Sequence, residues 1–175
     1  MRTFFALDLT PRLKLDIERW RDLALPWSDK SIPSANFHVT LCFNGDMRQQ
    51  QLESVEHAAS ALKVAPFTLR FNDFGYFIKP GIAFLGCKHS PSPLLALNQQ
   101  LEEICRQQGL PVEKRVYVPH ISLFRRLTVP PPAPVIAPDF PLDACGFTLF
   151  ESVAQRQGVR YQPLSEWPLH APGTK

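Results

Sequence analysis

The sequence predicts an α+β fold of two pseudo-symmetric lobes, with antiparallel sheets facing a central cleft and helices packed outside. Three observations lead there. The order strand–helix–strand occurs twice, about 80 residues apart. In each copy the second strand carries a histidine followed by an aliphatic residue, a hydroxyl residue and a leucine: His38-Val39-Thr40-Leu41 and His120-Ile121-Ser122-Leu123. A fainter echo links Phe67-Thr68-Leu69 to Phe140-Pro141-Leu142. Lobes of this kind bury one sheet face under helices and leave the other to line a shared groove. Residues 1–175 are read as one domain, with one lobe around strand 37–43 and the other around strand 116–125.

Each element has its own signal. Residues 2–10 (RTFFALDLT) read as a strand. Pro11 opens a helix over 11–25, with Leu13, Ile17, Trp20 and Leu23 or Ala24 at helical spacing. Residues 26–36 form a loop, and 37–43 alternate as a strand that Asn44-Gly45-Asp46 ends in a turn. A second helix spans 47–63, with Leu52, Val55, Ala59 and Leu62 on one face. Residues 66–77 read as one long aromatic strand, closed by Lys79-Pro80-Gly81. The pattern then restarts: a strand over 81–88, a helix over 91–109 capped by Gly109, and a strand over 116–125. Residues 129–141 hold six prolines and form an extended loop. Two final strands cover 142–153 and 159–165.

Composition narrows the function classes. Apolar residues are 45% and charged residues 20% of the 175-residue chain, as in a globular domain. No apolar run approaches the roughly 18 residues that a membrane span needs. The first residues lack the long apolar stretch of a secretory signal and are read as a mature cytosolic start. Cys42, Cys87, Cys105 and Cys145 are far apart, without zinc spacing, and are read as reduced thiols. Net charge is only +3, yet six basic residues (Lys114, Arg115, Arg125, Arg126, Arg156, Arg160) face three acids in the stretch 114–160. That surplus suits a phosphate or nucleic-acid end, and equally a solvated basic rim.

On a strand, residues i and i+2 share a face, so His38 sits beside Thr40 and His120 beside Ser122. One such pair is commonplace; two in matching strands call for a shared site. Two imidazoles titrating near pH 6.5 form a workable acid–base pair. The hydroxyls of Thr40 and Ser122 suit the non-bridging oxygens of a phosphate. This is a phosphodiesterase layout, and no cluster with metal spacing accompanies it. Arg125 lies five residues after His120; strict alternation sends it to the opposite face, so an anion contact requires the strand to end or twist there. By the same parity Cys42 and Phe124 share the histidine face. Phe37, Phe43, Tyr117 and Phe124 are candidates to stack a base or to pack in the core.

These motifs resemble the two-histidine (2H) phosphoesterase superfamily, in particular the bacterial RNA 2′,3′-cyclic phosphodiesterases, also called 2′-5′ RNA ligases. The resemblance covers nearly the whole chain: residues 2–11, 36–45, 115–125, and 149–152 with Gly158, Tyr161 and Leu164. Ser122 stands where threonine is commoner and Asn44 where an aliphatic residue is usual. The resemblance implies opening of an RNA-terminal 2′,3′-cyclic phosphate to a 2′-phosphate. It implies His38 as proton donor, His120 as proton acceptor, and Thr40, Ser122 and Arg125 as phosphate-binding residues. It implies no cofactor and no metal. The partners it implies are RNA 3′ ends or nucleotides with a cyclic phosphate, including tRNA halves joined reversibly through 2′-5′ linkages. A monomer in the cytoplasm is expected. Two other readings stay open: a non-catalytic protein that binds RNA ends, and a cysteine hydrolase using Cys42 beside His38.

Overall fold

The computed structural model describes residues 1–171 and 173. Strand β1 (Arg2–Asp8) leads to helix α1 (Pro11–Ala24), which begins where the sequence places a cap: the Thr10 hydroxyl accepts from the Leu13 N–H at 3.2 Å, with Pro11 in the first turn. Of the two candidates for its last apolar position, Ala24 is buried and Leu23 faces solvent. Strand β2 (His38–Asp46), helix α2 (Gln49–Ser60), strands β3 (Phe67–Phe71) and β4 (Asp73–Phe77), strand β5 (Ile82–Gly86) and helix α3 (Ser92–Gln107) follow. Strands β6 (His120–Phe124), β7 (Phe140–Ala144), β8 (Gly146–Gln155) and β9 (Gly158–Pro168) complete the chain.

The strands form sheets of order β2-β1-β8-β9, β6-β5-β4 and β3-β7, with antiparallel pairing in each. The duplication explains the arrangement. Strand β5 stands for β1, β6 for β2, β4 for β8 and β7 for β3, and α3 stands for α1. His38 opens β2 opposite Asp8 at the end of β1, and His120 opens β6 opposite Gly86 at the end of β5. The echo between 67–69 and 140–142 is the seam between the halves, because β3 and β7 pair with each other from Phe67↔Ala144 to Phe71↔Phe140. One contiguous apolar core runs through both lobes, from Phe5, Leu7 and Leu41 to Leu85, Leu101 and Ile121.

Four expectations need correction. The long strand 66–77 breaks at Asn72, whose side chain accepts from the Lys88 N–H at 3.1 Å, so that β3 and β4 serve different sheets. The strand expected over 142–153 breaks likewise at Cys145, between β7 and β8. Asn44-Gly45-Asp46 is not a turn: Gly45 takes φ +67 at an irregularity and β2 continues, pairing Asp46 with Arg2. Asn44 is buried there and accepts from the Cys105 thiol at 3.3 Å. Residues 116–119 lie outside β6, because Pro119 has no N–H for the ladder.

Both histidine strands carry an extra residue at the matching place, and β2 has a second at Asn44. Phe5 pairs with Cys42 and Ala6 with Thr40, so Leu41 is bulged out of register; Ala83 pairs with Phe124 and Phe84 with Ser122, so Leu123 is bulged in the same way. A bulge frees backbone groups that must find other partners. The Leu41 carbonyl accepts from the Asn98 side-chain amide at 2.7 Å. The Leu123 carbonyl accepts from the Ile32 N–H at 2.8 Å, with the Arg21 guanidinium 3.5 Å away. Arg21 and Asn98 are the buried polar residues of α1 and α3. Each helix thus serves the strand of the opposite half: α3 backs β2, and α1 reaches β6.

Asn98→Leu keeps the branched shape and removes the donor, leaving a buried carbonyl unpaired. It is expected to destabilise the protein by about 1–3 kcal/mol. Urea unfolding of the variant beside wild type measures this, and a change below the error of the fit counts against it.

Candidate active site

His38 and His120 are held alike. The Nδ1 of His38 lies 2.8 Å from the Asn36 carbonyl, and the Nδ1 of His120 lies 2.8 Å from the Val118 carbonyl. A carbonyl only accepts, so both Nδ1 atoms carry the proton, and Nε2 is the basic nitrogen of each neutral ring. The Thr40 hydroxyl donates to His38 Nε2 at 2.9 Å. Both rings are half-buried, as are Thr40 and Ser122.

Aromatic walls fix the ring planes. Tyr161 meets His38 edge-on at 5.0 Å, and Phe4 lies 4.9 Å from it. Phe77 and Phe84 pack on His120 at 5.2 and 5.3 Å and stack on each other at 4.2 Å. Phe84 has room because Gly75 faces it; a Cβ there would come within 2.4 Å of the Phe84 ring. The first half solves the same position with the smaller pair Ala6 and Thr148.

The bulges decide what else faces the cleft. After Leu41 the alternation inverts, so Leu41 and Cys42 are both buried and Phe43 turns outward. After Leu123 it inverts again, so Phe124 is buried and Arg125 turns outward. Cys42 and Phe124 therefore do not line the cleft. Cys42 packs against Cys105 on α3, Sγ to Sγ 3.7 Å, where that contact and burial push its thiol well above the ordinary range. A thiol so held is no nucleophile. Arg125 instead donates to the Tyr161 hydroxyl at 3.2 Å, on the histidine side. Two hydrogen bonds fasten its main chain there, from its own N–H to the Lys30 carbonyl at 3.1 Å and from the Lys30 side-chain ammonium to the Arg126 carbonyl at 2.9 Å.

Electrostatics tie the groups together. Burial, then the charges of Arg125 and His120, bring His38 from 6.5 down to about 4, against the raising effects of the Asn36 carbonyl and Asp8. Burial and Arg125 also lower His120, opposed by the Val118 carbonyl. The charge of Arg125 thus acts on both imidazoles, and burial disfavours the cationic form of each. A bound anion reverses this by neutralising Arg125 and attracting protons to both rings. Tyr161 is a site residue that sequence reasoning does not single out, because its role depends on β9 closing over His38. Asn36, whose side chain donates to the Val159 carbonyl at 3.0 Å, links that strand to the His38 loop. Among the described residues no three His, Cys, Asp or Glu side chains gather as a metal site.

A histidine from each of two duplicated lobes, beside a hydroxyl and sharing one arginine, is the layout of a two-histidine phosphoesterase. The chain belongs to the 2'-5' RNA ligase superfamily, whose family model matches residues 9–149. It is similar to the RNA 2',3'-cyclic phosphodiesterase of Escherichia coli (strain K12), with 29% identity over 173 residues that cover 96% of both chains. It is also similar to the protein of that name from Thermus thermophilus, with 27% identity covering 97% of this chain and 90% of the relative. The crystal structure of E. coli LigT complexed with 3'-AMP superposes with a TM-score of 0.86 at 29% identity, covering 96% of this chain and 97% of that one. The fold recurs in TT0787 of Thermus thermophilus, with a TM-score of 0.84 over 98% of this chain and all of that one, at 23% identity.

The lowered His38 has a consequence for stability. Its neutral form is favoured by folding, so its contribution is complete above pH 6.5 and is lost as pH falls toward 4. In the free protein the His38 ring is expected to titrate near pH 4, and inorganic phosphate is expected to raise that midpoint. Imidazole NMR shifts followed against pH, with and without phosphate, check both; an unmoved midpoint speaks against a shared anion site. Tyr161→Phe, which loses the hydroxyl that accepts from Arg125, is expected to raise KM for a phosphate ester several-fold with little effect on unfolding. Steady-state kinetics beside a thermal melt separates the two effects.

Proposed function

We propose that this chain is an RNA 2′,3′-cyclic phosphodiesterase that opens the cyclic phosphate to a 2′-phosphomonoester. The observation that carries this reading is the matched pair of imidazoles, each with Nδ1 tied to a carbonyl and Nε2 left for chemistry, in electrostatic contact with Arg125. His120 Nε2 takes a proton from water as the water oxygen bonds to phosphorus. The bond from phosphorus to the 3′-oxygen breaks, and that oxygen takes the Nε2 proton of His38, which enters the step as imidazolium because the bound phosphate draws a second proton onto that ring, while His120 enters neutral. Thr40 turns from His38 to a non-bridging oxygen, Ser122 does the same from the other lobe, and Arg125 neutralises the charge. The strain of the five-membered ring supplies driving force, so the residues themselves need only move protons and hold charge. The order of donor and acceptor follows the motif resemblance.

The four cysteines are free thiols, and among the described residues no helix is long and apolar enough to cross a membrane. The free thiols suit a reducing compartment, and we take the enzyme to meet RNA ends in the cytoplasm as a monomer. Joining of tRNA halves through a 2′-5′ linkage is the same ring opening, with a ribose 5′-hydroxyl attacking phosphorus in place of water and the 3′-oxygen again leaving.

Incubation with 2′,3′-cyclic AMP in EDTA tests the reading, with the product isomer identified by chromatography. The 2′-phosphate is expected, at an undiminished rate in chelator. His38→Ala and His120→Ala are each expected to lower kcat by about 10²-fold or more, as removal of a general acid or base does. Tight binding of 2′-AMP without turnover of the cyclic substrate would instead favour a protein that only binds RNA ends. Because a bound anion raises both imidazoles, the limbs of the bell-shaped kcat profile are expected at higher pH than those of kcat/KM. Coincident limbs would show that the anion does not bind between them.

A further inference from the structure

Beyond the histidines, on the outward side of β2, lies a groove of about 370 Å³ lined by Phe43, Pro111, Val112, Glu113, Lys114 and Arg115. Resting on the reading that the cleft takes an RNA 3′ end, we infer that this groove receives the nucleotides upstream of the terminal one.

Placement is the first argument. The bulge at Leu41 turns Phe43 to the histidine face, where a ladder of rings runs from His38 to Phe4 at 4.9 Å and from Phe4 to Phe43 at 6.3 Å. The groove therefore begins one aromatic ring beyond the imidazole. A chain whose last phosphate sits at His38 has this surface beside it, whereas a mononucleotide in the cleft leaves the groove unused.

The chemistry of the lining is the second. Phe43 is 37% exposed, and the Arg2 guanidinium lies over its ring at 5.3 Å. Lys114 and Arg115 are exposed on the opposite wall. An exposed ring flanked by cations is how proteins hold single-stranded nucleic acid without reading its sequence: bases stack, and the charges follow the backbone. The groove contains one acid, Glu113, whose carboxylate lies 3.5 Å from Arg115 Nε. Both partners are largely exposed, so the pair is weak, and a phosphate can replace Glu113 on Arg115.

The third argument is that the wall is built. Pro111 stands so close to β2 that a Cβ on Gly45 would lie 3.2 Å from its ring, and Gly45 also adopts φ +67. The turn before it is anchored by the Gln51 side-chain amide, which donates to the Gln108 carbonyl at 2.8 Å. The cationic segment is thereby carried on a fixed support.

The test compares kcat/KM on 2′,3′-cyclic AMP and on a short oligoribonucleotide ending in a 2′,3′-cyclic phosphate, in wild type and in the Lys114→Ala/Arg115→Ala double variant. Wild type is expected to favour the oligonucleotide by about tenfold or more, the effect of one stacked base. Its oligonucleotide kcat/KM is expected to fall with salt by an added log–log slope of roughly −1.4 for two phosphate contacts. The double variant is expected to lose the added salt dependence and to weaken the oligonucleotide preference through KM, with turnover of cyclic AMP unchanged. Glu113→Gln is expected to improve the oligonucleotide alone. An oligonucleotide with no advantage, or a double variant that affects both substrates equally or neither, overturns the proposal. Fluorescence anisotropy of the same RNA carrying a 2′-phosphate end reads the groove without turnover. The double variant weakens that binding about tenfold if the groove holds RNA, and unchanged binding overturns the inference. Wild type that binds this RNA but cleaves neither substrate overturns the hydrolase reading and leaves the groove standing.

Discussion

The site depends on two backbone carbonyls that the sheets cannot satisfy. At the matching place in each histidine strand a surplus residue, Leu41 or Leu123, throws its carbonyl out of the ladder, and a polar group brought by the opposite half of the chain answers it. Without Asn98 and the Arg21–Ile32 segment these bulges would bury unpaired acceptors. With them the strands keep their kinks, and Arg125 turns into the cleft. The same segment closes over β6 through the Ile32 and Arg125 amides, so the arginine that depresses both imidazoles is held by the main chain.

Much of this is legible in the sequence. Pro11 and Ser92-Pro93 mark helix starts, and apolar spacing of period 3.6 gives the helix faces; the structure keeps those helices within a few residues. The histidine–hydroxyl pairs are legible because a strand's alternation holds for the three residues from His38 to Thr40. Beyond that point periodicity misleads. Leu41, Cys42 and Phe43 are all apolar, so nothing in their order marks which is the surplus residue, and parity puts Cys42 and Phe124 on the wrong face. The break at Asn72 is hidden in an aromatic run, because leaving one sheet for another changes no side-chain pattern. Tyr161 is visible only as part of the final hairpin, since its contact with His38 spans most of the chain.

The duplication is kept in architecture and relaxed in detail. The proline-rich stretch 129–139 stands where the first half has α2, and β9 has no counterpart in the second lobe. The first lobe flanks its histidine with Phe4 and Tyr161, and the second uses Phe77 and Phe84. The imidazoles therefore sit in unequal surroundings. Asp8 faces the first ring, where the second has Gly86.

The seam between β3 and β7 carries a historical implication. An antiparallel pairing between equivalent segments is what a twofold axis produces when two copies of one short chain meet, each offering the same edge. The helices, which cross to brace the partner half, would in such an assembly cross between subunits. A half-length ancestor with a single histidine would have had its reactive centre only as a homodimer, with identical rings. Fusion of two such copies into one polypeptide would free each to drift, and the unequal surroundings of the two imidazoles are what such a release would leave.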